Sequence, residues 1–364
     1  MPGANEKKIH WRTQMKFSPK PRNLSLSLCM GALLHCAAFA QTTLPLTYDK
    51  ADRAEKITAL AKSEGGLTVY TASRPQDLAA LLAPFEAKTG IKVKAWRSGS
   101  DNVLQRVVRE ANSKHADVDV VMTPAGEMLA MSREHLLQPV YSPYQKDLIP
   151  SAVVAHQLWS SMFMNVVVQS YNTQAFKKDA LPKSFNDLLD PRFKGNLGIE
   201  SKAEEWFAKV TQSMGEEKGV ALFREIGQKN GYSTRLGVSL LHNLVIAGEV
   251  PMGLTVYIDL PEKDKKAGKP VDWFALDPVV AQGFNIGVAS KSPHPYSALL
   301  FYDYLLSPET QKLLTTLGYY PTSTKVTNPY SDLKINVVDP TYIIDNYAKW
   351  TKLYEQNVTK LPKN

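Results

Sequence analysis

Two apolar spacings alternate along this chain. In the first third, Leu78, Leu81, Leu82 and Phe85 recur at helical spacing between Pro75 and Gly90, which predicts a helix with Gly90 as its stop. Pro84 sits inside that pattern and should bend its last turn. Ser98-Gly99-Ser100-Asp101 reads as the cap of a second helix, with Val103, Leu104, Val107 and Val108 on one face. Short apolar runs at 67–71, 91–96 and 118–122 predict strands, the last apolar enough to be buried on both faces. An amphipathic entry helix is expected over 47–62. Strand, helix, strand, helix, strand is the rhythm of a parallel sheet with right-handed crossovers.

The middle of the chain repeats that rhythm. The run 159–169 is longer than an ordinary strand and is expected to bridge two lobes. A strand at 196–200 follows the turn-rich segment 190–195, and helices are predicted at 203–212 and 216–228. Leu236, Leu240, Leu241, Leu244 and Val245 form a further helical stripe that ends at Gly248. Strands follow at 251–257 and 284–289, the second returning to the first lobe. Helices are expected over 296–306 and 308–317, the latter with Ser307 as cap and Pro308 at its first position. A tail helix is predicted over 341–354. The Pro- and Lys-rich segment 261–270 reads as a solvated surface loop.

The N-terminus changes the picture. Lys7, Lys8, Arg12, Lys16, Lys20 and Arg22 precede an apolar stretch from Leu24 to Phe39, and Ala38-Phe39-Ala40 closes it with small residues. That order predicts a secretory signal peptide over 1–40 and a soluble mature protein in the periplasm. The stretch is short for a membrane span, which needs ~20 residues. Met15 onward already reads as a complete leader, so translation from Met1 and from Met15 both stay open. Cys29 and Cys36 are the chain's 2 cysteines and both lie in the leader, so disulfides, thiolate metal sites and cysteine catalysis are excluded from the mature chain.

The formal charge of +8 is inflated by the leader, which holds six of the 43 basic residues and one of the 35 acidic ones, leaving a balance of +3. No basic run with interleaved aromatics follows Ala40, so no nucleic-acid partner is expected. The length after the leader suits two lobes better than one.

Leu67-Thr-Val-Tyr70, Phe85-Glu-Ala-Lys-Thr-Gly-Ile-Lys-Val93 and Ala116-Asp-Val-Asp-Val-Val121, in that order, resemble the first lobe of bacterial type II periplasmic solute-binding proteins. Gly248-Glu-Val-Pro251 before a strand ending at Tyr257, and Leu305-Leu-Ser-Pro-Glu-Thr-Gln311, resemble their ferric-iron-binding branch. The resemblance implies an α/β architecture, the type II periplasmic binding protein fold, with two Rossmann-like lobes joined by crossover strands. On that reading residues 41–155 and 285–364 make the first lobe with the C-terminal helices, and 156–284 the second. It also implies a monomer that captures a small-molecule or metal-ion ligand between the lobes and delivers it to the permease of an ABC importer. No cofactor is expected.

Ferric-binding relatives hold iron with an adjacent tyrosine pair after the Gly-Glu-Val-Pro strand, often aided by a histidine and a glutamate from the first lobe. This strand ends Val256-Tyr257-Ile258-Asp259, so Tyr257 alone stands in that role, as a metal ligand only if the cargo is ferric iron. Arg74, after Ser73, falls about where the histidine would be, and Thr123-Pro124 where the glutamate would be. A guanidinium cannot ligate a cation, so Arg74 favours a carboxylate or phosphate ligand. Tyr319-Tyr320 is an adjacent pair in the wrong place for iron and reads as lobe packing or cleft edge.

Open parallel sheets bind ligands beyond the carboxyl ends of their strands, which makes the residues at those ends candidates. Ser98 and Ser100 could cradle an anion at a helix N-terminus, or simply cap it. Ser201, Lys202, Glu205 and Trp206 follow a second-lobe strand, while Glu204 reads as a complement to its helix dipole. Arg235 is a second candidate anion clamp, and Asp259 stands beside Tyr257 at the expected cleft mouth. The histidines of the mature chain, His115, His135, His156, His242 and His294, show no metal spacing. The cargo stays open between ferric iron, a small organic or phosphorylated anion, and an organic cation caged by Asp259, Glu205 and aromatics. A secreted hydrolase is the rival class, although no nucleophile–base or metal motif is visible. A ligand-presenting sensor is the third.

Overall fold

The computed structural model describes residues 43–113 and 116–361. The leader therefore lies outside the described residues, as does His115. From Leu44 onward the chain forms one unit, in which two sheet regions share one long strand.

The first lobe opens with α1 (Arg53–Glu64), β1 (Gly66–Thr71), α2 (Pro75–Thr89), β2 (Lys92–Arg97), α3 (Ser100–Ser113), β3 (Val120–Pro124), α4 (Ala125–Arg133) and the two-residue β4 (Leu137–Gln138). Gly65 and Gly90 end α1 and α2 in the left-handed conformation, at φ 71° and 76°, which a glycine adopts without a Cβ penalty. β5 (Trp159–Asn172) is buried along all 14 residues. The second lobe follows with β6 (Leu197–Glu200), α5 (Glu204–Ser213), α6 (Glu216–Asn230), β7 (Ser233–Arg235), α7 (Val238–Ala247), β8 (Met252–Tyr257), α8 (Asp259–Lys266) and β9 (Val271–Phe274). β10 (Val279–Ala289) returns to the first lobe, which gains α9 (Pro295–Leu306), α10 (Pro308–Thr316), β11 (Tyr320–Pro321) and β12 (Ile335–Val337). The chain closes with α11 (Pro340–Asp345) and α12 (Tyr347–Tyr354).

The strand order is β2-β1-β3-β10-β5-β8-β6-β7. β1 pairs in parallel with β2 and β3, and β6 with β7 and β8, whereas β10 runs antiparallel to β3 and β5, and β5 antiparallel to β8. β5 pairs with β10 up to Val166 and with β8 from Val167, so a single strand passes from one sheet into the other. This is the crossover expected of the run 159–169, and the architecture is the two-lobed α/β fold of type II periplasmic binding proteins.

Each lobe has its own apolar core. Leu81, Phe85, Met122, Met164, Ile286 and Phe301 belong to the first, and Phe185, Phe207, Phe223, Leu254, Trp350 and Tyr354 to the second. The entry helix starts only at Arg53, and Leu236 lies outside α7 and is exposed; two further segments depart more from the sequence reading. The segment 261–270 is no loop at its start: α8 carries Asp259 and Glu262 in its first turn and Lys263, Lys265 and Lys266 in its last. That charge order complements the helix dipole, and a first-turn proline such as Pro261 loses no helical hydrogen bond. The tail divides at Asn346 into α11 and α12, and its packing differs from the expectation that placed 285–364 with the first lobe. Trp350 and Tyr354 stand edge-on and tilted against Phe207 of α5, with ring centroids 6.2 and 5.3 Å away. The C-terminal helices therefore cover the second core.

Candidate functional site

The carboxyl ends of β3, β6 and β8 all open toward one cavity between the lobes, of about 500 Å³. From the first lobe it is lined by Ser100, Asp101 and Leu104 of α3 and by Gly126, Glu127 and Ala130 of α4. From the second come Glu200 at the end of β6, Lys202, Glu204, Glu205 and Trp206 around the start of α5, Val238, and Tyr257 at the end of β8. Val167 and Gln282 of the crossover strands also line it, and Ile343, Ile344 and Tyr347 close one side.

Carboxylates dominate the charged groups of this surface. Asp101, Glu127, Glu204 and Glu205 each occupy the first turn of a helix. Glu200 is held by backbone, accepting from Lys202 N at 3.2 Å and from Gly237 N at 2.7 Å. Burial raises the Glu127, Glu200 and Glu204 carboxyls above their ordinary range. Burial, with Glu127 and Glu204 close by, pushes Glu205 up to about 7. Among the described residues Glu205 has no hydrogen-bond donor. A Cβ on Gly126 would stand 3.4 Å from the Glu205 carboxylate, an ordinary contact distance that shows how near the two lobes come here. Lys202, the one cation in the lining among the described residues, bridges the lobes to Asp101 at 2.8 Å. The Tyr257 hydroxyl accepts from Gln282 Nε2 at 2.9 Å, and burial pushes its phenol upward.

The structure thus gathers Ser100, Lys202, Glu205, Trp206 and Tyr257 at the cavity. Trp206 is also a core residue, edge-on to Phe185 and Phe223. The other candidates stand elsewhere. Arg74 donates to Asp77 at 2.7 Å, to the Tyr319 hydroxyl at 2.6 Å, and to Asp259. That network buries Asp259 against the first lobe and joins Tyr319 to Asp77 at 2.7 Å. Ser73 turns back to Thr71, Ser98 accepts from Asn102, and Ser201 contacts Glu200. Thr123 is fully buried, with its hydroxyl unpartnered among the described residues. Arg235 donates to the Thr234 carbonyl at 2.9 Å. Neither arginine proposed as an anion clamp lines the cavity.

Sequence reasoning missed Glu127, Glu200, Gln282 and the tail residues. Glu127 was findable, because Pro124-Ala-Gly-Glu127 is a helix start directly after β3. No group of three or more His, Cys, Asp or Glu among the described residues could hold a metal ion. His242 and His294 pair with Asp264 and Asp119, away from the cavity.

A family model described as "Bacterial extracellular solute-binding protein" matches residues 80–336. The chain belongs to that family. This solute-binding protein is 25% identical over 268 residues to the "Fe(3+)-binding periplasmic protein" of Serratia marcescens, covering 70% of this chain and 78% of the relative. It is 24% identical over 246 residues to the "Putative 2-aminoethylphosphonate-binding periplasmic protein" of Salmonella typhimurium, covering 65% and 70%. The fold matches the periplasmic binding protein AfuA of Actinobacillus pleuropneumoniae, solved with fructose-6-phosphate, at a TM-score of 0.70 and 21% identity, over 81% of this chain and 99% of that one. No helix among the described residues is long and apolar enough to cross a membrane.

Proposed function

We propose that this solute-binding protein is the substrate-binding component of an ABC importer and that its interlobe cavity takes a small organic cation. The carrying observation is charge: Asp101, Glu127, Glu200, Glu204 and Glu205 line the cavity against Lys202 alone, and Lys202 is itself paired with Asp101. A bound ammonium group would relieve the repulsion between Glu127 and Glu205 and stabilise the closed pairing of the lobes. Trp206, Tyr257 and Tyr347 supply aromatic surface that suits a cation's apolar body. The role is capture and delivery to a membrane permease, without turnover. It presumes export of the chain to the periplasm and removal of residues 1–40, so the mature N-terminus would be Gln41. N-terminal sequencing of the exported protein checks this.

The test is native mass spectrometry of protein purified without added ligand, joined to melting shifts with a panel of amines, ferric citrate and sugar phosphates. Stabilisation by amines alone supports the reading. Stabilisation by sugar phosphates alone overturns it.

Ferric iron is the second reading, favoured by Tyr257 in the cavity and by the name of the Serratia relative. Its ligands would be the Tyr257 phenolate with Glu127 or Glu205, hard oxygen donors that suit a ferric ion. The ion would have to pull down a phenol that burial pushes up. A red protein with a visible charge-transfer band on ferric titration would establish it.

A further inference from the structure

The family model ends at residue 336, yet Ile343, Ile344 and Tyr347, all beyond that point, line the cavity. They sit on a strap that touches both lobes. At its first half, Asp345 accepts from Arg133 of α4 at 2.6 Å, which ties α11 to the first lobe. At its second half, Trp350 and Tyr354 are fully buried beside Phe207 of the second lobe. The Tyr354 hydroxyl donates to the backbone carbonyl of Glu200, whose carboxylate lines the cavity. Lys349 adds a pairing to Glu216 at 2.6 Å. The strap is thus held at both ends while its middle looks into the site.

Its chemistry there differs from that of the other lining residues. α4 and α5 present carboxylates, whereas the strap presents two isoleucines and a tyrosine that is 53% exposed. Leu104 and Val238 add apolar surface. A bare metal ion, or a compact ammonium ion, would leave that apolar surface unused. A ligand with a charged head and an apolar or aromatic body would use both, burying its body on the strap and its charge among the acids.

We propose that the C-terminal strap is a specificity wall of the ligand site, through Ile344 and Tyr347, and that the ligand is an organic cation with an apolar or aryl body. This rests on the cation reading above and narrows it. Ile344 and Tyr347 grade the ligand's body, while Glu127 and Glu205 hold its head.

The experiment compares tetramethylammonium and benzyltrimethylammonium by calorimetric titration of the wild-type protein and of Tyr347→Ala and Ile344→Ala, with ferric citrate and fructose 6-phosphate as controls. Neither variant touches the buried anchors Trp350 and Tyr354, so both should fold, which circular dichroism checks. The expected result is about fivefold or more tighter binding of the benzyl compound, the size of one favourable aromatic pair contact. Both variants should shrink that preference, losing more affinity for benzyltrimethylammonium than for tetramethylammonium. Equal wild-type affinity for the two ammonium ions would overturn the strap and leave the cation reading standing. An undiminished preference in both variants would do the same. Binding of ferric citrate or fructose 6-phosphate with neither ammonium ion bound would overturn both.

Discussion

Arg74, just past the first strand of one lobe, is ion-paired with Asp259, at the first turn of the helix that follows Tyr257 in the other. Asp77 and the Tyr319 hydroxyl share the same guanidinium, and Lys263 stands 4.0 Å from Asp77. Burial pushes Asp259 up to about 6 against the pull of Arg74. A residue whose sequence position suggested an anion ligand thus joins the two lobes internally.

Removing Arg74 strands two buried carboxylates. Arg74→Met should destabilise the protein by roughly 3–5 kcal/mol, the usual loss when one partner of a buried pair is deleted. Arg74→Met combined with Asp259→Asn should recover part of it. Urea denaturation of both variants checks this; equal losses would show that the pair is not coupled.

The exposed bridge between Lys202 and Asp101 should behave differently, since both side chains are more than half exposed. Lys202→Ala should change stability by no more than about 1 kcal/mol. Its effect should appear in ligand affinity, because one more acid in the cavity is left unpaired. Cation binding should tighten, and the gain should fade at high salt.

Tyr257→Phe removes a hydroxyl bonded to Gln282 without changing the ring. Stability should fall by about 0.5–1.5 kcal/mol, the net worth of one such bond. Aryl-cation affinity should stay within about threefold if the ring is what contacts the ligand. Loss of all ferric-dependent colour in this variant, were colour seen in the wild type, would identify the phenolate as the ligand.

Glu205 predicts a pH dependence of known sign. Its carboxyl titrates near 7 in the folded protein and near 4.5 when unfolded. The folded state therefore holds the extra proton between those values, and ligand-free stability should fall as pH rises from about 4.5 to 7. A cation favours the charged carboxylate, so binding should release a proton below pH 7. Affinity should weaken on acidification by at most about tenfold per pH unit. Titration in buffers of different ionisation enthalpy counts the proton, and Glu205→Gln should reduce the count, with the raised carboxyls of Glu127, Glu200 and Glu204 supplying any remainder.

Most of the fold was legible because its signals are local. Helical spacing marked α2, α3 and α7, and the length of the buried run at β5 marked it as a bridge. α8 was not legible, because a solvated helix and a charged loop share the same Lys- and Glu-rich composition. The site was harder for a related reason. Asp101, Glu127, Glu204 and Glu205 each look like ordinary first-turn acids that complement a helix dipole. Only tertiary convergence of three helix starts turns them into a cluster. Arg74 failed in the opposite way: its position after β1 was right, but its partners lie far along the chain, at Asp259 and Tyr319.

The place of β10 bears on how such a chain is made. It lies between β3 and β5 in the first lobe's sheet, yet it follows nearly the whole second lobe in sequence. The first sheet cannot be completed until its central strand has been synthesised, and closing so long a loop delays folding. The first lobe of a nascent chain therefore stays incomplete through most of its synthesis, even after the second lobe's strands have emerged.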